Sequence, residues 1–335
     1  MHDLEPVHYP AMKSKLPSMK GKTIAITGTT SGTGKIAAAA LAEKGAKLLL
    51  LNRASSRSDA SYNDLKTRYP DAEIHQVECD LQSFDSVEAA AKKIIELCPE
   101  GLDVLANNAG VMALGDQATD DGFDVQMQTN HLSHFLLTRE LMPLLERTAE
   151  AKGEARVVNH SSIARFAPSK KLQPRFFEKR GGDLGGDGNG FQNMLMQGPR
   201  WLRYNQTKLA NAAFTAALHH RLEAEGSKVK ALVAHPGVAN TSLQKTTVKD
   251  GGMGSRFTSF FMRLGQSRED GTLGLLSCIA LPEAESGQFW GPGSGTLAMK
   301  GPAKPFGLES FYDNPKTREM LWTKSEEAIG KSFEL

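Results

Sequence analysis

Cysteine is scarce in this chain, and long hydrophobic runs are missing from it. Cys79, Cys98 and Cys278 are far apart, odd in number and outside any C-x-x-C spacing. That excludes a disulfide framework and a thiolate zinc site, and it fits a reducing compartment; the expected location is the cytoplasm. No segment approaches the ~18 consecutive apolar residues of a membrane span. Residues 1–20 carry prolines and charges but no apolar h-region, so they read as a loose N-terminal extension rather than a signal peptide. The sequons at Asn159, Asn205 and Asn240 carry little weight without a secretory signal. Charge of one sign is also missing: 40 Lys and Arg stand against 38 Asp and Glu, and no basic run suggests a nucleic-acid surface.

What the sequence does contain is a rhythm. Short aliphatic runs at 23–27, 47–52, 74–79, 102–106, 156–160 and 229–234 alternate with helix-like stretches at 34–44, 59–68, 84–97, 118–146 and 204–225. Continuously apolar strands between helices predict a parallel sheet covered on both faces, and right-handed crossovers then make it doubly wound. The fold expected is a single Rossmann-type α/β domain over 21–335, with about seven strands in the order 3-2-1-4-5-6-7 and the last strand near Gly287–Trp290. Two long segments interrupt the rhythm. One is an insertion at 163–203 with a glycine-rich centre (Gly181–Gly190); the other is a substrate loop at 237–269. Long loops at strand carboxyl ends usually build the ligand site of such sheets.

The first strand runs into Thr27-Gly28-Thr29-Thr30-Ser31-Gly32-Thr33-Gly34, followed by a helix. Glycines there allow a tight turn and close backbone approach to a pyrophosphate, and the helix N-terminus supplies free N–H groups. A P-loop is excluded by one extra residue before Lys35 and by Ile36 at the magnesium-binding position. An NAD site wants a carboxylate at the end of the second strand. Here stand Asn52 and Arg53, with Arg57 nearby, which favours the 2′-phosphate of NADP(H). Asp80-Leu81 and Asn107-Asn108-Ala109-Gly110 follow the third and fourth strands, where ligand contacts gather. Tyr204 and Lys208 are four apart on a helical run, so they share a face, and an ammonium there can lower the phenol pKa.

The ordered set T-G-x-x-x-G-x-G, Asp80, N-N-A-G, Asn130, Ser162, Tyr204-x-x-x-Lys208 and His235-Pro236-Gly237 closely resembles the short-chain dehydrogenase/reductases over about Lys20 to Leu281. The stretches at 130–138, 235–241 and 318–333 resemble the retinol-dehydrogenase-like branch. The resemblance implies hydride transfer between NADP(H) and a carbonyl or alcohol of a small apolar substrate. It implies a catalytic set in which Ser162 binds the substrate oxygen, Tyr204 exchanges its proton, Lys208 holds the nicotinamide ribose and Asn130 anchors a water. By the same likeness Gly28, Thr30, Ser31, Gly32 and Gly34 line the cofactor phosphates and Asn52, Arg53, Asp80 and Leu81 the adenosine end. Asn107, Ala109 and Gly110 would lie along the ribose, with Pro236, Gly237, Val238 and Thr241 beside the nicotinamide. Family habit implies a homodimer or homotetramer packed through helices 118–146 and 204–225.

The chain departs from the family pattern in one place: 42 residues separate Ser162 from Tyr204, where the usual gap is much shorter. Met194, Leu195, Met196 and Trp201, at the end of this insertion, are candidates for an apolar pocket. A similar excursion in protochlorophyllide reductases makes NADPH-dependent C=C reduction an alternative; a non-catalytic NADP-binding regulator is another. No metal is expected. His131 and His134 have no evident third ligand, and the glycine-rich stretch lacks the acidic positions of a calcium loop. No G-x-S-x-G elbow is present.

Overall fold

The computed structural model describes residues 4–167, 169–180, 182–239, 242–254, 265–293 and 299–335. Strands β1 (Thr23–Thr27), β2 (Lys47–Asn52), β3 (Ile74–Glu78), β4 (Val104–Asn107), β5 (Ala155–His160), β6 (Val229–Ala234), β7 (Gln288–Pro292) and β8 (Ala303–Gly307) form one sheet. Their order is β3-β2-β1-β4-β5-β6-β7-β8. The first seven pair in parallel and match the expected order; β8 is an additional antiparallel edge strand. Its sequence AKPFG was not readable as a strand, because proline and lysine disfavour a central strand but are tolerated on an exposed edge.

The helices used below are α1 (Tyr9–Lys15), α2 (Gly32–Glu43), α3 (Ser56–Arg68), α4 (Phe84–Leu97), α5 (Ser133–Lys152), α6 (Pro199–Ala224), α7 (Ser242–Lys249), α8 (Leu273–Ala280) and α9 (Pro315–Ile329). Strands β4 and β5 are buried at every position, so their side chains feed two cores, one on each face of the sheet. One core packs α4, α5, α6 and α9 on the sheet; the other packs α2 and α8. The 118–146 stretch is not one continuous helix. It contains a short turn at Val125–Met127 and a π-helical turn at Gln128–Leu132, and α5 follows.

Residues 4–20, expected to be loose, lie against the domain. The backbone N–H groups of Val7, His8 and Tyr9 donate to the buried carboxylate of Asp270 at 2.8–2.9 Å, and Leu16 and Met19 are buried. The carboxylate sits far along the chain, in the 3-10 turn (Asp270–Thr272) that precedes α8, so sequence proximity gave no sign of it.

Helix α9 packs against α5 and α6. Trp322 meets Phe135 edge-on at 5.1 Å between centroids and stacks on Phe333 at 4.9 Å. Replacing Trp322 by Ala should therefore cost about 3–5 kcal/mol, read as a lowered urea midpoint. A change under about 1 kcal/mol would mean that the aromatic cluster does not hold α9 in place.

Candidate active site

The carboxyl ends of β1, β2, β4, β5 and β6 open on one cavity of about 1080 Å³. At its start the chain leaves β1 through Gly28 (φ +73°) and enters α2 at Gly32 (φ +57°), both in the left-handed region that glycine tolerates. A Cβ on Gly28 would lie 2.8 Å from that of Ala109, so a side chain there would collide with the neighbouring loop. Ser31, before α2, makes no capping bond through its side chain, and Gly32 and Thr33 line the cavity. The first N–H groups and positive dipole end of α2 thus face the open space, as an anion cradle requires.

Asn52 lines the cavity, but its amide is committed to the turn: Oδ1 accepts from the Thr29 N–H and Nδ2 donates to Thr29 Oγ1, both at 2.8 Å. Arg53 and Arg57 line the cavity beside it, together with Glu78, Asp80 and Leu81. The Asp80 carboxylate accepts from the Gln82 N–H, and the N-cap of α4 is Ser83.

Two residues expected at the cofactor do not line the cavity. Asn107 is buried behind it, where its Nδ2 donates to Thr138 and Asn159. Gly34 acts through packing, because a Cβ there would come within 2.3 Å of the Gly28 carbonyl and 2.4 Å of Asn108 Nδ2. Asn108 holds this region together instead. Its Nδ2 donates to the carbonyls of Thr27 and Gly28, while its Oδ1 accepts from Thr33 Oγ1 and pairs with His160 Nδ1. Adjacent asparagines at a strand end left the choice open, because a strand buried on both faces shows no alternation to say which one turns to the site. Thr30, Ser31, Ala109, Gly110, Pro236, Gly237 and Val238 line the cavity as expected, while Thr241 lies outside the described residues.

The other end of the cavity joins three elements. Ser162 follows β5 and N-caps a short 3-10 turn, its Oγ accepting from the Ala164 N–H at 3.2 Å. Tyr204 and Lys208 come from α6, which Ser161 pins to β5 by donating to the Lys208 carbonyl at 2.7 Å. Lys208 Nζ donates to the His160 carbonyl at 2.9 Å and lies 5.9 Å from the Tyr204 ring centroid. Ser162, Tyr204 and Lys208 all line the cavity.

Asn130 is buried in the π turn. Its Oδ1 accepts from the Val111 N–H at 2.7 Å, and its Nδ2 donates to the Val111 carbonyl and Thr207 Oγ1 at 2.9 Å. Its own carbonyl accepts from His134 Nδ1 at 3.1 Å. The side chain therefore ties the loop after β4 to α6, one residue before Lys208. Gly110 keeps the gap open: a Cβ there would stand 3.0 Å from Asn130 Oδ1 and 3.3 Å from Lys208 Nζ.

Burial, rather than the neighbouring ammonium, dominates the two titrating groups. Burial pushes the Tyr204 phenol up to about 12, against a smaller downward pull from its hydrogen bond with Ser162. Burial likewise brings Lys208 down to about 8. The lowered phenol expected from the spacing is not what the structure gives. At neutral pH the pair is a protonated phenol beside a mostly charged amine.

Of the insertion residues, Met196 and Trp201 line the cavity, whereas Met194 and Leu195 are exposed. Trp201 stands edge-on to Tyr204 at 5.9 Å, and Met112 and Met253 complete an apolar roof. The glycine-rich stretch folds back on the domain, since a Cβ on Gly182 would be only 3.0 Å from the Gln117 backbone.

The strand order and the cradle at α2 place the chain among the Rossmann-type folds, with a serine, a tyrosine and a lysine lining the same cavity. Residues 22–174 match the short chain dehydrogenase family. Human retinol dehydrogenase 13 is 36% identical over 242 residues, which are 72% of this chain and 65% of that protein's length. The Aspergillus calidoustus short-chain dehydrogenase/reductase drtF is 31% identical over 339 residues, covering 96% of this chain and 98% of its own. Among solved structures, an uncharacterized protein from Mycobacterium Paratuberculosis overlays with a TM-score of 0.71 at 30% identity, over 96% of this chain and 98% of its own. The chain belongs to the short-chain dehydrogenase/reductase family of oxidoreductases, in its retinol-dehydrogenase-like branch.

Proposed function

We propose that the protein is an NADP(H)-dependent carbonyl reductase or alcohol dehydrogenase for a small, uncharged, apolar substrate. One observation carries the reading. Tyr204, hydrogen-bonded to Ser162 and followed one turn later by Lys208, lines the same cavity as the helix-terminal cradle at the other end. When bound, the nicotinamide supplies the two-electron chemistry. The cradle fits it: free N–H groups at α2 for the pyrophosphate, glycines where a side chain would intrude, and two guanidiniums at the far end.

The chain's own groups then do the rest of the work. In reduction, Ser162 Oγ and the Tyr204 phenol both donate to the substrate oxygen, which polarises the carbonyl. Tyr204 gives up its proton as charge develops on that oxygen, and Lys208, still charged, stabilises the phenolate left behind. In oxidation the same groups run in reverse. Asn130 holds the loop after β4 against α6 and so fixes Lys208 relative to the cavity. The roof of Met112, Met196, Trp201 and Met253 carries no charge, which suits an apolar aldehyde, ketone or alcohol.

Neutral Asn52 ends β2, at the position where a carboxylate would read the ribose of NAD, and Arg53 follows it; this supports NADP(H) despite Glu78 and Asp80 nearby. Arg53→Ala should weaken NADPH by about 10- to 100-fold and NADH much less, as one lost charge-assisted contact predicts. Fluorescence titration of both cofactors decides the point; equal losses would remove the 2′-phosphate assignment. Three free, buried cysteines accord with a reducing compartment, and we place the protein in the cytoplasm. No helix among the described residues is long and apolar enough to cross a membrane. A homodimer or homotetramer would have to use surface other than that covered by α9.

The deciding experiment is NADPH oxidation against a panel of aldehydes, ketones, quinones and enones. Dark turnover of simple carbonyls supports the proposal. Reduction confined to enones would favour the C=C reductase, and no turnover with intact cofactor binding would favour the regulator.

A further inference from the structure

The wall of the cavity over Tyr204 is built from three loops distant in sequence, and two buried arginines of α6 join them: Arg203 ties the insertion to the loop after β4 through the Leu184, Gly186 and Leu114 carbonyls, and Arg200 ties the insertion to the loop after α7. Arg200, in the first turn of α6, is largely buried. Its Nη1 donates to the Asp250 carboxylate at 2.7 Å and to the Asp250 carbonyl at 2.8 Å, and its Nη2 pairs with Asp187 at 3.0 Å. Asp187 belongs to the insertion and Asp250 to the loop after α7. The same carboxylates reach the loop after β4, where Asp250 accepts from the Gly115 N–H and Asp187 from the Asp116 N–H. The Asp116 N–H and the Arg200 charge hold the Asp187 carboxyl below its usual range. Just inside this junction, Trp201 Nε1 donates to the Gly252 carbonyl and Thr247 Oγ1 to the Met112 carbonyl.

The backbone beneath the junction is strained. Met196 (φ +54°) and Ala113 (φ +49°) lie in the left-handed region that residues with side chains seldom adopt. Both belong to the apolar cluster over the cavity. Conformations of this kind persist where surrounding contacts over-determine them, and they gather at ligand clamps. Here Arg203 holds the Leu114 carbonyl next to Ala113, and Arg200, which does not itself line the cavity, holds the loops on either side through Asp187 and Asp250.

We propose that Arg200 is a specificity-determining positioning residue. By pairing with Asp187 and Asp250 it ties the 163–203 insertion to the loop at 247–253, sets the position of Met196 and Met253, and thereby selects long apolar carbonyl substrates over short ones. This rests on the reading of the cavity as a carbonyl-substrate site. Because Asp187 and Asp250 are partly exposed, the tie is sensitive to ionic strength.

The test compares the wild type with Arg200→Met, which keeps the apolar stem, and with the double variant Asp187→Asn/Asp250→Asn, which alters only partly exposed carboxylates. KM and kcat are measured for decanal and for propanal at low and high NaCl, with NADPH affinity from fluorescence. Both variants should raise the decanal KM about tenfold, the scale of one lost charged hydrogen-bonding contact, while propanal KM and NADPH affinity hold. The wild-type decanal KM should rise with salt, and that dependence should vanish in the variants. An unchanged decanal KM would overturn the proposal; so would losses that fall equally on decanal, propanal and NADPH. Amide hydrogen exchange gives a readout independent of turnover. Residues 184–197 and 247–253 should exchange faster in both variants while β1 and α2 do not, and unaltered exchange there would overturn the tie. If the wild type reduces no carbonyl at all, the functional reading fails by itself, and the exchange result still decides whether Arg200 holds the two loops.

Discussion

Tyr204→Phe should lower kcat for carbonyl reduction by about 10²- to 10⁴-fold, the usual contribution of a positioned proton donor, while NADPH affinity stays close to wild type. The phenyl ring would still pack against Trp201, so the substitution removes the proton and the bond to Ser162 with little change in shape. Single-turnover rates with saturating NADPH isolate the chemical step. A variant retaining a tenth or more of wild-type kcat would mean that the proton comes from elsewhere. The pH dependence adds a second constraint. With the phenol raised to about 12, Tyr204 keeps its proton across the physiological range. Lys208, brought down to about 8, loses its charge first. Reduction should therefore slow as pH rises through about 8, because a neutral lysine no longer stabilises the phenolate. An activity flat to pH 10 would contradict the role given to Lys208.

The second large effect concerns stability in acid. Burial depresses His131 and His160 to about 3 and His134 to about 4, and it takes His235 well below its ordinary value. These imidazoles are neutral in the folded protein, and each has at least one hydrogen-bond partner: Ser325 for His131, Asn130 and Thr27 for His134, Asn108 for His160 and the Gly237 N–H for His235. The unfolded chain binds their protons near pH 6.5 and the folded chain does not. Stability is thus full above that pH and is lost as pH falls below it. At pH 5 each of His131, His134 and His160 removes roughly 2 kcal/mol, so that the three together take up much of the stability of an ordinary domain, and His235 acts in the same direction. Asp124, pushed up to about 6 by burial, works in the opposite direction and offsets about 1 kcal/mol. Circular dichroism should show cooperative unfolding between pH 6 and 4, and His131→Leu should move the midpoint to lower pH. A wild-type protein still folded at pH 3.5 would refute this account.

Much of the fold was legible because its signals are local. The strands at 23–27, 47–52 and 229–234 begin and end where the aliphatic runs do, and β-branched or leucine-rich stretches between helices have few alternatives to a buried parallel sheet. The misses have a common cause. Strand β8, the docking of residues 4–20 on Asp270, and the division of work between Asn107 and Asn108 all depend on partners far away in the chain. The Tyr204/Lys208 spacing was likewise correct as geometry yet misleading as electrostatics. Spacing reports which groups are neighbours, while a pKa depends on how completely water is excluded around them.

The sequence by itself determined the doubly wound sheet, the glycine turn at the start of α2, and the serine, tyrosine and lysine that line one cavity. Those are set by residue type and short-range periodicity. Tertiary structure alone decided that the long insertion folds back on the domain, that Met196 and Trp201 face the cavity while Met194 and Leu195 do not, and that Arg200 joins the loops above it. Ion pairs and close glycine contacts between segments tens of residues apart leave no periodic trace in a sequence. They exist only once the sheet has brought those segments together.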